Sequence, residues 1–205
     1  MRAEVWRLDW LLIRAAAERE REAERELVER ARRGDPSAFE EVVRRHQHRV
    51  YNLAYRMLRR HEDAEDATQE AFLRAFEAMP RFRGEAAVGT WICRIAANLC
   101  LSWLRSKARR VEVAADAVAL VEGQEEAGDA GRNELVRATR GAIARLPPKY
   151  RLAVVAHYLE GRSYEEAARV AGVGVRTLKT RLYRARKLLR RMLRDAVTCE
   201  VEAMP

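Results

Sequence analysis

Apolar residues recur along this chain every three or four positions, in long stretches broken by glycine- and proline-bearing segments. That spacing is the signature of amphipathic helices. The stripe Phe39, Val42/Val43, Val50, Leu53/Ala54, Met57/Leu58 predicts a helix opening at Gly34-Asp35-Pro36, where Asp35 is a good N-cap and Pro36 a good first helical residue. A second helix is expected over about 63–79, with Ala64, Ala67, Ala71/Phe72 and Ala75/Phe76 inward, ended by Met79-Pro80. After a loop through Arg81–Gly89, Thr90 is expected to cap a third helix to about Arg105, with Ile92, Ile95/Ala96, Leu99 and Trp103 inward. The pattern then fails from about Lys107 to Gly131, where an acidic, glycine-bearing stretch reads as a flexible linker. Periodicity resumes with a helix to Leu146, stopped by Pro147-Pro148, and another from Lys149 to Leu159, ended by Gly161. A last helix is expected from Val175 to about Arg194. Residues 1–33 read as one charged helix with Arg/Glu alternation, supported by i,i+4 pairs.

The fold class expected is therefore all-α: two small helical domains joined by a linker, plus an N-terminal helical extension. The boundaries are 1–26 for the extension, 27–106 for the first domain, 107–132 for the linker, 133–194 for the second domain and 195–205 for a tail. Composition agrees, being rich in Ala, Leu, Arg and Glu, all helix formers.

Charge narrows the partners. Lys+Arg is 40 against Asp+Glu 31, a formal net charge of +9. Such an excess predicts a polyanion, either nucleic acid or an anionic membrane surface. No apolar run is long enough to span a bilayer, and Met1–Ala17 lacks the core and cleavage site of a signal peptide. The expectation is a cytoplasmic protein on nucleic acid. Cys93, Cys100 and Cys199 form no C-x-x-C pair, and their odd count argues against a disulfide framework. His46 and His48 are two apart and so diverge on a helix. Neither a metal site nor a cofactor is expected.

The segment Tyr164–Ala185 has the internal logic of a helix-turn-helix. Ser163-Tyr-Glu-Glu166 is a capping box. Ala168 is small where two helices cross, Gly172 can take the left-handed turn, and Leu178 closes the mini-core. Such a unit lays its second helix in the major groove. From Gly174 to Arg194 there are nine Lys/Arg and no acidic residue. Arg176, Lys179, Thr180, Tyr183 and Arg184 fall away from the apolar stripe near the helix start, which is the part that reaches base edges. The later basic residues suit phosphates. An ordinary basic surface helix is the plain alternative; turn, capping box and charge pattern together argue against it.

The predicted helix over 63–79 carries an acidic-polar outer face of Asp63, Asp66, Gln69, Glu70 and Glu77, anomalous in a basic protein. It suits a basic protein partner, and otherwise a solvated face. Three runs then matter together: Asp63-Ala-Glu-Asp-x-x-Gln-Glu-Ala-Phe72, Arg81-Phe-Arg-Gly-Glu85, and Thr90-Trp-Ile-x-Arg-Ile-Ala-x-Asn98 with Trp103-Leu-Arg. They resemble region 2 of the extracytoplasmic-function (ECF) group of sigma-70 family sigma factors. Leu146-Pro-Pro-Lys-Tyr-Arg151, Gly161-Arg-Ser-Tyr-Glu-Glu-Ala-Ala168 and Thr177-Leu-Lys-Thr-Arg-Leu-Tyr-Arg-Ala-Arg-Lys187 resemble region 4 of the same group. The resemblance runs from about 28 to 192 in the family's order.

The resemblance implies roles by position. Asp63, Asp66, Gln69 and Glu70 would bind the β′ clamp helices of RNA polymerase core. Phe82 and Arg83, with Asn98 and Ala78, would pocket an unstacked base of the −10 element, supported by Trp91 and Arg94. Arg176, Lys179, Thr180, Tyr183 and Arg184 would face the −35 element, and region 4 would dock on the β flap. An anti-sigma factor is an implied partner, beside polymerase core and promoter DNA. Stacking a base on an aromatic is worth roughly 1–3 kcal/mol, so an aromatic on the 81–89 loop is apt; locally, a Phe82 tucked into the core is equally consistent. The chain departs from its relatives at Arg176, where many have Gly, and at Val88 and Gly89, where larger residues are common.

The function expected is a sigma factor directing promoter recognition, melting and transcription initiation for a stress or envelope-signal regulon. It is not expected to be an enzyme, because no metal cluster, P-loop or nucleophile–base pairing is visible. The competing reading is a helix-turn-helix regulator that binds operator DNA without polymerase.

Overall fold

A computed structural model describes residues 2–113 and 130–202. Among these, every regular element is helical: α1 (Arg2–Arg32), α2 (Pro36–Leu58), α3 (His61–Ala78) with a 3₁₀ turn at Met79–Arg81, α4 (Val88–Val113), α5 (Ala130–Arg145), α6 (Pro148–Val154) continuing as a π turn through Leu159, α7 (Tyr164–Ala171) and α8 (Val175–Glu202).

The α1–α2 hairpin closes as its residues dictate. Gly34 takes φ +89, and the Asp35 carboxylate accepts from the Ser37 and Ala38 amides at 3.0 and 3.2 Å. Arg30 donates to the same carboxylate at 2.7 Å. Together these contacts hold Asp35 far below the usual carboxylate range, with the Ser37 hydrogen bond the largest cause. Helices α2, α3 and α4 pack mutually around Leu53, Met57, Phe72, Ile92 and Ala96. Alanines 64, 67, 71 and 75 line the inner face of α3 and let it approach closely. Helix α1 lies along α2 and adds Leu27, Val28 and Ala31 to the same core. The second helical unit gathers α5, α6 and α7 against α8, with Leu146, Leu152, Leu178 and Leu182 almost fully buried.

Several expectations need correction. Helix α4 runs on to Val113, past its expected end at about Arg105, and α5 begins at Ala130, so 107–113 and 130–132 are helical; 114–129 lies outside the described residues. Helix α8 continues to Glu202, past the expected end at Arg194, because nothing from 195 to 202 is a breaker. Helix α1 is a single element from Arg2 to Arg32, in line with the one helix expected over residues 1–33. Thr90 is buried inside the first turn of α4, which starts two residues earlier at Val88, so it is not the cap. Phe76 is 49% exposed, its ring meeting Phe39 edge-on at 5.1 Å. The Lys149–Leu159 stretch is a short α-helix followed by a π turn.

Two of the cysteines, Cys93 and Cys100, are buried free thiols, and burial pushes Cys100 up to about 12.

The two helical units also pack on each other. Helix α7 lies along α4, and α6 with its π turn meets the C-terminal end of α2.

Candidate nucleic-acid interface

The helix-turn-helix is built as its sequence demands. Ser163 accepts from the Glu166 amide at 3.1 Å, and the Glu166 carboxylate accepts from the Ser163 amide at 3.1 Å, completing the capping box. Gly172 ends α7 with φ 64 and ψ 35, a left-handed conformation that a side chain resists. Ala168 is 3% exposed beneath α8, and Leu178 is fully buried. The apolar face of α8 is thereby pinned, and its opposite face is presented to solvent.

That free face carries the expected residues. Arg176, Lys179, Thr180, Tyr183 and Arg184 are all exposed, and the first four line a shallow concavity with Val175. Tyr183 is 64% exposed, a large amphipathic ring with no packing reason to be there. The Lys179 ammonium sits 5.0 Å from the centroid of the Tyr164 ring, and that ring stacks on His157 at 4.2 Å. Tyr150 is hydrogen-bonded to Arg184, which draws the phenol below its ordinary value. Tyr164 and Tyr150 were not legible as supports for these cations, because nothing in local spacing ties either to α8.

A second basic site forms around the loop after α3. A cavity of about 390 Å³ is lined by Ala78, Phe82, Arg83, Trp91 and Arg94, all expected, and also by Arg81, Thr90 and Arg169. Phe82 is only 8% exposed, with its ring centroid 4.8 Å from that of Trp91. It is therefore tucked against the core and offers the cavity an edge. Asn98 is exposed and does not line the cavity. It follows Arg94 at i+4, on the same face of α4. The cavity holds four guanidinium groups against the single carboxylate of Glu85. Arg169 reaches it from α7, across the interface between the two units; nothing in sequence spacing signals that.

On α3, Asp66 and Gln69 are exposed and Asp63 and Glu70 half-buried. Glu70 pairs with Arg74 at 2.7 Å. Leu73, 61% exposed, lies on the same face, four residues beyond Gln69.

Known proteins match both units. The Sigma-70 region 2 model matches residues 42–110, and the Sigma-70 region 4 model residues 137–189. The RNA polymerase sigma-H factor of Pseudomonas aeruginosa is 35% identical over 189 residues, covering 85% of this chain and 98% of that one. The ECF RNA polymerase sigma factor SigW of Bacillus subtilis is 33% identical over 179 residues, covering 82% and 95%. Among solved structures, CnrH in complex with the cytosolic domain of CnrY is 26% identical with TM-score 0.63, covering 84% of this chain and 98% of that one. The sigma factor RpoE bound to the anti-sigma factor NepR, from Bartonella quintana, shares the fold at 24% identity and TM-score 0.58, covering 76% and 96%. With both region models matched in order and relatives covered over nearly their whole length, the chain belongs to the ECF group of the sigma-70 family of RNA polymerase sigma factors.

Proposed function

We propose that this chain is a dissociable specificity subunit of RNA polymerase, which recruits core enzyme to promoters and opens the DNA there. The observation that carries this reading is the combination, on one chain, of a region 4 recognition helix with an exposed basic face and a region 2 helix with an exposed acidic one. A basic face serves DNA. An acidic face on a protein of net charge +9 serves a basic protein surface.

In this reading Asp63, Asp66, Gln69 and Glu70 hold the β′ clamp helices. Arg176, Lys179, Thr180, Tyr183 and Arg184 read the −35 element, and region 4 docks on the β flap. Ala78, Phe82, Arg83, Trp91, Arg94 and Asn98 receive an unstacked −10 base. The burial of Phe82 means that its loop shifts when a base enters. The exposed arginines beside it attract the phosphate backbone before any base is read. Melting is driven by binding energy, without nucleotide hydrolysis, so the protein is not an enzyme. It works in the cytoplasm, where its polymerase partner is, under an anti-sigma factor, for a stress or envelope-signal regulon. CnrH, a similar protein, is solved with the cytosolic domain of CnrY, which supports a protein partner for this chain besides the polymerase.

Run-off transcription with purified core polymerase on a genomic promoter pool tests the reading. Specific transcripts that depend on the chain are expected. Stable operator binding that core does not alter would instead establish the alternative, a helix-turn-helix regulator.

A further inference from the structure

The exposed cations of α8 have little on their own helix to hold them. From Gly174 to Arg194 the chain carries no carboxylate, so no acidic neighbour along that stretch can fix a lysine or an arginine. Neighbouring cations repel one another. Lys and Arg side chains also lose more rotamer freedom on ordering than almost any others. The nearby Thr180 hydroxyl is already occupied, donating to the Arg176 carbonyl at 3.0 Å.

Two tyrosines from other helices supply the missing supports, since α6 and α7 both pack on α8. Tyr164, the first residue of α7, places its ring under the Lys179 ammonium, 5.0 Å from the centroid. That ring is itself fixed. It stacks on His157 at 4.2 Å with the planes 24° apart, and His157 Nδ1 donates to the carbonyl of the buried Arg162 at 2.8 Å. Tyr150, on α6, is half-buried against the core and hydrogen-bonded to Arg184. A ring face or a neutral hydroxyl attracts a cation without cancelling its charge. A carboxylate in either place would neutralise the cation and compete with a phosphate or a base for it.

From this we infer that Tyr164 and Tyr150 are positioning residues of the recognition helix: Tyr164 seats Lys179 and Tyr150 anchors Arg184, so that both cations are aimed before DNA arrives. The inference rests on the proposed reading of the −35 element by this face. The two supports differ in chemistry. Tyr164 acts through its ring, which phenylalanine keeps. Tyr150 acts through its hydroxyl, which phenylalanine lacks.

Crossed substitutions in the full chain test this. In the free protein, lysine amines are dimethylated with isotope-labelled formaldehyde. The Lys179 methyl resonance, assigned with Lys179→Arg, is expected upfield of that of Lys187, because it lies over a ring. Tyr164→Leu should erase that displacement and Tyr164→Phe should restore it. A Lys179 resonance that does not move in Tyr164→Leu overturns the seat. With core polymerase, affinity for a promoter recovered by run-off transcription should fall about two- to fivefold in Tyr164→Leu and recover in Tyr164→Phe. It should fall about two- to tenfold in Tyr150→Phe. Neither loss should recur where the cation is already gone, in Lys179→Ala for Tyr164→Leu and in Arg184→Ala for Tyr150→Phe. Equal losses with and without the cation, or Tyr164→Phe as weak as Tyr164→Leu, would show that the tyrosines serve only the fold and would overturn the inference. Circular dichroism melting checks that each variant is folded. The readouts keep the two ideas apart: a wild-type chain that yields no core-dependent transcript sinks the sigma reading, while the methyl resonances of the free chain still report the seat.

Discussion

His46 and Gly89 form a matched pair. A Cβ at position 89 would lie 2.6 Å from His46 Nδ1, so the bare glycine lets the imidazole lie between α2 and the start of α4. This accounts for a glycine at position 89. Gly89→Ala should destabilise the protein by about 1–3 kcal/mol through overpacking, and His46→Ala in the same chain should recover most of it. Thermal unfolding of the two single variants and the double variant measures the coupling. The same histidine gives a pH dependence. Burial, the largest cause, lowers its pKa below the ordinary 6.5, opposed by Glu24. The unfolded chain therefore takes up a proton more readily than the folded one. Stability should be full above about pH 6.5 and decline as pH falls below it, and His46→Gln should flatten that slope. A denaturant midpoint unchanged between pH 7.5 and pH 5.5 in the wild type would contradict the assignment.

At the scale of elements, the helix-turn-helix depends on two local devices and one buried contact. Ser163→Ala removes the cap and should cost about 1 kcal/mol. Leu178→Ala empties the contact between α7 and α8 and should cost about 2–5 kcal/mol, enough to release the recognition helix. Its reading face is tested separately. Lys179→Ala and Arg184→Ala should each weaken upstream promoter recognition by about 1–3 kcal/mol, if each loses a good base pairing. Both side chains are exposed, so unfolding midpoints should stay put while footprints fade. Unchanged footprints would refute the two assignments. In the loop after α3 and on α4, respectively, Phe82→Ala and Asn98→Ala should impair promoter opening while leaving core binding intact; permanganate reactivity at the −10 element reads this. Normal opening on linear DNA would reject the pocket.

For the whole molecule, two weak grips on one chain add through their connection. Under the proposed function, the late basic residues of α8 would contribute a sequence-blind share of the region 4 grip. Arg190→Ala and Arg191→Ala should each reduce the salt slope of promoter binding by about 1, without changing which promoters are chosen. Promoter titrations at several salt concentrations check it. A slope that stays constant would move those arginines off the DNA.

How much was legible in advance follows the range of the forces involved. Helical periodicity, the Asp35 and Ser163 caps, the left-handed Gly172 and the one-sided basic face of α8 all arise between residues a few positions apart, so the sequence by itself determined them. It also determined the family, because the motifs stand in series. Helix ends were less legible where no breaker marks them, as at Val113 and Glu202. Three things were decided only by the tertiary structure: the tucked ring of Phe82 against Trp91, the entry of Arg169 into the same cavity, and the docking of one region on the other. The reason is physical. Arg56, Arg151 and Arg162 look in sequence like any solvated arginines of a basic helical protein. Only packing puts Arg162 beside Cys93 and Arg151 over the end of α2, and burial turns those charges from solvent-facing groups into contacts between the two units.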